Sequence, residues 1–139
     1  LTLSISSFEE AQKLSAMAGA LQKTAKFHVK INTGMHRFGA HPSKTVEIVG
    51  RSRKLMGVEV GGVFSHLHSA TDADETPSQT QLETFNDAIY GLQNLQFHLA
   101  NSAGALRFPA MRHGAVRVGT LLYGQYPAPS IQKIADLNL

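Results

Sequence analysis

Phe27-His28-Val29-Lys30-Ile31, followed at once by Asn32-Thr33-Gly34-Met35-His36-Arg37-Phe38-Gly39, is the stretch that decides the fold. Phe27, Val29 and Ile31 alternate with His28 and Lys30, the two-residue period of a strand with one apolar face. At Asn32 the composition turns polar and glycine-rich, so the strand ends on a loop that carries a histidine and an arginine. The arrangement recurs along the chain. Val58 to Phe64 reads as a strand that ends on Ser65-His66-Leu67-His68. Gln96 to Ala100 ends on Asn101-Ser102-Ala103-Gly104, and Ala115 to Gly119 carries Arg117 and ends on Gly119-Thr120.

Helical patterns separate these strands. After an alternating Leu1–Ile5 run, Ser7-Phe8-Glu9-Glu10 has the spacing of a capping box. Phe8, Ala11, Leu14, Ala18 and Leu21 then mark one helix face that should run to about Thr24. Pro42 and Ser43 open a second helix with Val46 and Val49 as core candidates, ended by Gly57. A polar loop from Thr71 to Thr76 leads to Ser78-Gln79-Thr80-Gln81, a second capping-box spacing, with Leu82, Phe85, Ile89 and Leu92 as the buried stripe. Strand and helix alternating in this way predict a parallel sheet with right-handed crossovers. The dinucleotide-binding Gly-x-Gly-x-x-Gly fingerprint is absent, and a full (β/α)8 barrel needs ~250 residues. Such units build either an open doubly wound sheet or a closed barrel. As the second, the 139 residues would make a partial barrel, about half of one, with the tail from Pro127 leaving the fold.

Composition narrows the function. There are 13 Lys and Arg against 10 Asp and Glu, a net charge of +3, and no Cys or Trp. Lacking cysteine, the chain has no disulfide, thiolate metal site or cysteine nucleophile, and the composition suits the cytoplasm. The cluster Lys44, Arg51, Arg53 and Lys54 reads as the solvated face of a helix, because no aromatic residues interleave with it as a nucleic-acid platform requires. No apolar run has the length of a membrane span, and no signal-peptide pattern appears.

The chemistry-bearing residues fall at the C-terminal ends of the strands, where parallel architectures build their sites. Asn101-Ser102 and Gly119-Thr120 pair small residues with hydroxyls at strand-to-helix junctions and lie beside Arg117, an arrangement that suits a phosphate. His66 and His68, at i and i+2 with Asp72, Asp74 and Glu75 nearby, offer a divalent metal site of a barrel hydrolase instead. Lys30, inside a strand, faces either a wet sheet face or the barrel interior, and if buried it must lower its pKa, find a partner or be modified. A non-catalytic cofactor-binding module is a third reading.

Together, Ile31–Gly39, Phe64-Ser65-His66, His98-Leu99-Ala100-Asn101-Ser102 and Val116-Arg117-Val118-Gly119-Thr120-Leu121-Leu122-Tyr123-Gly124 resemble the alanine racemase family. Asn32 departs from the aspartate usual there. The resemblance implies residues 1–126 as part of an N-terminal pyridoxal-phosphate barrel, roughly its strands 4 to 8. It implies residues 127–139 as an exit toward a C-terminal β-domain, and an enzyme that interconverts L- and D-alanine for peptidoglycan synthesis. It implies Ser102, Gly119 and Thr120 at the cofactor phosphate, Asn101 as a further cofactor-binding residue, Arg117 at the pyridine nitrogen and His66 beside that arginine. Arg37 would meet the cofactor's phenolic oxygen and the substrate carboxylate, held by Lys30 as a carbamate. In the family the cofactor-linked lysine lies earlier in the barrel, and the second base is a tyrosine of the partner subunit's β-domain. No catalytic base is therefore expected within these residues, and a homodimer is expected of the whole enzyme.

Overall fold

The computed structural model describes residues 1–134 and 136. Four strands, β1 (Thr2–Ile5), β2 (Ala25–Lys30), β3 (Val58–Phe64) and β4 (Gln96–His98), form one sheet in the order β1-β2-β3-β4. Every neighbouring pair is parallel. Helices α1 (Phe8–Ala20), α2 (Thr45–Ser52) and α3 (Thr76–Ile89) make the crossovers, and α4 (Ser102–Arg107) follows β4. Strands joined in sequence order through helices are the repeating unit of a (β/α)8 barrel, here an arc of it.

The alternation in β2 does what the sequence implied. Phe27, Val29 and Ile31 are fully buried, and with Ile5, Val63, Val49 and Phe85 they form the core between sheet and helices. His28 and Lys30 point to the opposite face. Room for His28 comes from Gly61 and Gly62. A Cβ at Gly61 would lie 3.0 Å from His28 Nε2, and one at Gly62 would lie 2.9 Å from His28 Cε1.

Several elements differ from the sequence reading. Helix α1 ends at Ala20, leaving Leu21 exposed. On α2 the buried aliphatic beside Val49 is Ile48, while Val46 is exposed. Helix α3 begins at Thr76, where Asp74 accepts a bond from the Thr76 amide (2.9 Å) and Pro77 occupies the first turn. Ser78 is therefore no cap but a buried residue inside the helix. Strand β4 stops at His98, and the strand expected over Ala115–Gly119 shrinks to a single parallel bridge between Asn101 and Arg117. From Pro127 the chain still packs on the fold, because α5 (Pro129–Gln132) buries Ile131 in the core. Of the segment expected to lead away from the barrel, Ala135 and Leu137–Leu139 lie outside the described residues.

Candidate functional site

At the C-terminal ends of β2, β3 and β4 the ladder runs on briefly before the loops diverge. Ile31 N–H donates to Phe64 O (2.9 Å) and Ser65 N–H to His98 O (3.3 Å). The loop after β2 leaves at Asn32 and returns to pair at Ala40, whose N–H donates to Lys30 O while its carbonyl accepts from Asn32 N–H, both at 2.9 Å. Gly39 closes this loop with φ +121°, and a Cβ there would stand 2.6 Å from the Asn32 amide nitrogen. Inside it, Asn32 Oδ1 accepts from the amides of Gly34 (3.1 Å) and His36 (3.0 Å). These bonds use an oxygen that aspartate would also offer. What asparagine adds is Nδ2, which lies 3.2 Å from His36 Nδ1.

Arg117 is the hub. Its Nη1 donates to His98 Nδ1 (2.8 Å) and His98 O (3.2 Å). Nη2 faces Ser65 O (2.6 Å), Leu99 O (3.0 Å) and His66 Nδ1 (3.3 Å). A guanidinium can only donate, so both imidazoles present a bare Nδ1 to it. His98 then carries its proton on Nε2, which lies 2.8 Å from His28 Nδ1, so a row of neutral imidazoles runs from Arg117 into the sheet. Burial, then the charge of Arg117, holds His98 down to about 4. Burial and the same cation lower His66, while burial and Lys26 lower His28. Phe64 stacks flat on His98 at 4.8 Å, with the Arg117 guanidinium 5.2 Å from its centroid.

Lys30 Nζ stands 5.1 Å from the Phe38 ring centre and 5.9 Å from that of Phe64. Burial, then Arg37, then Arg117 depress its pKa. Arg37 itself is exposed, with its guanidinium 5.8 Å from the Phe38 ring. Among the described residues, none of Lys30, Arg37 and Arg117 is paired with a carboxylate. Two guanidiniums without an acid, beside a lysine whose charge they oppose, make a site that attracts an anion.

The residues expected at a phosphate lie on either side of the Asn101–Arg117 bridge in the chain. Ser102 Oγ accepts from Gly119 N–H at 2.9 Å, which leaves the serine hydroxyl hydrogen to donate elsewhere. Asn101 is occupied at both ends of its amide, accepting from Gly104 N–H (3.0 Å) and donating to Leu67 O (3.2 Å); it fixes the turn that presents Ser102. Thr120 follows at the exposed start of a 3-10 turn over Thr120–Tyr123.

The residues of the metal alternative do not converge. His66 Nδ1 faces Arg117, and His68 Nδ1 lies 2.5 Å from Ser69 Oγ. Asp72 accepts from Thr71, Asp74 from the Thr76 amide, and Glu75 pairs with Arg107. Among the described residues no three His, Asp or Glu form a metal-holding group. Two residues that matter, His98 and Gln81, do not stand out in the sequence as site residues. His98 stands two residues before the end of the strand expected over Gln96–Ala100, and no spacing sets it against His28 and Arg117. Gln81 gives no signal either, because its partners lie in loops distant in sequence.

The model of the alanine racemase N-terminal domain matches residues 1–127. Alanine racemase 1 of Oceanobacillus iheyensis is 37% identical over 145 residues, spanning 99% of this chain and 38% of that protein. The alanine racemase of Helicobacter pylori strain G27 is 37% identical over 143 residues, spanning 96% and 38%. Among solved structures, alanine racemase of Clostridium difficile 630 superposes with a TM-score of 0.89 at 30% identity, over 98% of this chain and 40% of that one. An alanine racemase from Bacillus anthracis with bound L-Ala-P gives 0.84 at 26% identity, over 99% and 37%. The chain thus spans 38% of the length of each of these two curated relatives.

Proposed function

We propose that this chain, which belongs to the alanine racemase family, is the part of a pyridoxal-phosphate-dependent enzyme that holds the cofactor and the alanine carboxylate. The single observation that supports this most is the pair Arg37 and Arg117, neither of them matched by a carboxylate among the described residues, beside the Ser102–Gly119 contact. A doubly acidic phosphate, a phenolate and a carboxylate are the charges such a site is suited to take.

Pyridoxal phosphate, when bound, supplies the electron sink that lets a proton leave the α-carbon of an amino acid. The chain's own residues orient it. Ser102 donates its free hydroxyl hydrogen to the phosphate, beside the turn at Gly119 and Thr120, and Asn101 keeps Ser102 in place. Arg117 turns both terminal nitrogens toward protein acceptors, which leaves Nε–H as its donor for the pyridine nitrogen. A guanidinium does not give up its proton at neutral pH, so it bonds to the ring without acidifying it. That keeps the sink weak and restrains side reactions. Arg37 takes the substrate carboxylate and the phenolic oxygen.

Lys30 serves this arginine as a carbamate. Its amine attacks carbon dioxide, an N–C bond forms as one C=O π bond opens to leave the charge on oxygen, and the nitrogen loses a proton to solvent, which requires the neutral amine that the depressed pKa favours. A carbamate carbonyl resonance after exposure to 13C-bicarbonate is the expected signature. The cofactor-linked lysine and the second base belong to other parts of the enzyme, a cytoplasmic homodimer serving peptidoglycan synthesis. The decisive test uses the complete polypeptide. Loaded with pyridoxal phosphate in deuterium oxide, it should convert L-alanine to D-alanine with deuterium at the α-carbon; no conversion refutes the reading.

A further inference from the structure

We propose that Gln81 is a positioning residue, a single buried amide on α3 that locks the loop carrying Arg37 to the loop carrying His66. The proposal rests on the reading of Arg37 and His66 given above. Gln81 is 1% exposed, and a buried amide is costly unless its donors and acceptor are satisfied. All are. Nε2 donates to Thr33 Oγ1 and to His66 O, each at 3.0 Å, and Oε1 accepts from His68 N–H at 3.0 Å.

The direction of every bond follows from its neighbours. The His68 amide can only donate and the His66 carbonyl can only accept, so the Gln81 side chain has one orientation. Ser65 Oγ gives its hydrogen to Ile31 O (2.8 Å). Thr33 Oγ1, 2.7 Å from Ser65 Oγ, must therefore donate to that serine and accept from Gln81. The chain Gln81–Thr33–Ser65–Ile31 thus has a single polarity and no spare hydrogen. Packing reinforces it: Gly34, at φ +141°, sits so close that a Cβ there would be 3.3 Å from Gln81 Cγ.

Two loops from different strands are consequently referenced to one side chain. The loop after β3 is gripped at Ser65 O by Arg117 and at His66 O and His68 N by Gln81. The loop after β2 is gripped at Thr33, four residues before Arg37. Loss of the amide frees the Arg37 loop relative to the Arg117 hub without removing any group that meets substrate or cofactor. Misplacement of a binding group by about 1 Å costs up to about a hundredfold in rate.

The experiment compares Gln81→Met and Gln81→Glu with wild type in the complete, cofactor-loaded enzyme. Methionine keeps the length and removes all three bonds; glutamate keeps the shape and sets an oxygen against the His66 carbonyl. At equal cofactor content, KM for alanine should rise and kcat should fall, each by about tenfold. Amide hydrogen exchange read on the cofactor-free protein should quicken by about tenfold over residues 32–38 and 65–68 and not over 102–107. A folded Gln81→Met enzyme with unchanged kcat and KM overturns the proposal, as does faster exchange spread evenly over the chain. If neither variant folds, Thr33→Val against Thr33→Ser decides. Valine should reproduce the loss and serine should not, and equal behaviour of the two overturns the proposal. A wild type that fails to racemise alanine refutes the proposed function, whereas the exchange pattern still judges Gln81.

Discussion

Arg117 Nη1 donates to His98 Nδ1 across 2.8 Å, and His98 passes the constraint on to His28 Nδ1 at a further 2.8 Å. One guanidinium thereby fixes the tautomers of two histidines, and burial opposes a charge on either. A proton added to either ring would set donor against donor in this row, close to a fixed positive charge.

The pH dependence of stability follows. Burial and Arg117 lower His98 from 6.5 to about 4, so the folded protein binds its proton later than the unfolded chain. Between those two values the unfolded state holds more protons, and stability must fall as pH falls through that window. Burial moves His28 and His66 in the same direction. Urea midpoints measured from pH 7.5 down to pH 4.5 should decline below the ordinary histidine range, and His98→Gln should flatten the slope. A midpoint that holds steady or rises on acidification contradicts this account of the histidine row.

Gly62→Ala tests the space that the row requires. The added methyl would overlap the Gln96 carbonyl on β4 and lie 2.9 Å from His28 Cε1. Neither neighbour can yield, since β3 pairs with β4 at this point and His28 is bonded to His98. The substitution should cost about 2 kcal/mol or more, as overpacking in a close-packed interior does. A thermal midpoint equal to wild type would show that β3 and β4 can separate freely there.

Ser102→Ala addresses the phosphate. It removes a hydroxyl that bonds Gly119 N–H and that we assign to the cofactor phosphate. The loss of one charge-assisted hydrogen bond should weaken pyridoxal-phosphate binding by about 1–2 kcal/mol, with little change in the bound cofactor's absorption maximum. Unaltered cofactor affinity would place the phosphate elsewhere.

The fold was legible where periodicity is local. Phe27, Val29 and Ile31 announced a strand with one buried face, and all three are fully buried. The reading failed where tertiary contacts decide. Ser78 through Gln81 has the spacing of a capping box, but Asp74 and Pro77 start the helix earlier. Both residues then turn inward, Gln81 because loops on β2 and β3 offer it three partners. Val116–Val118 carries strand-forming residues, yet only Arg117 pairs, and its side chain reaches back to Ser65 and His66. The cationic loops were visible as residues at strand ends. The histidine row joining Arg117 to the sheet depends on side-chain directions that no spacing reveals.

The central claim is that these residues hold cofactor and substrate while the proton-moving bases lie elsewhere in the enzyme. The most direct measurement sets D-alanine formation by the 139-residue chain, supplied with pyridoxal phosphate and L-alanine, beside that of the same residues within the complete polypeptide. The account predicts no D-alanine above the cofactor-only control from the chain by itself and ready racemisation by the complete enzyme. Racemisation by the 139 residues alone would contradict it, because a base would then have to reside among them.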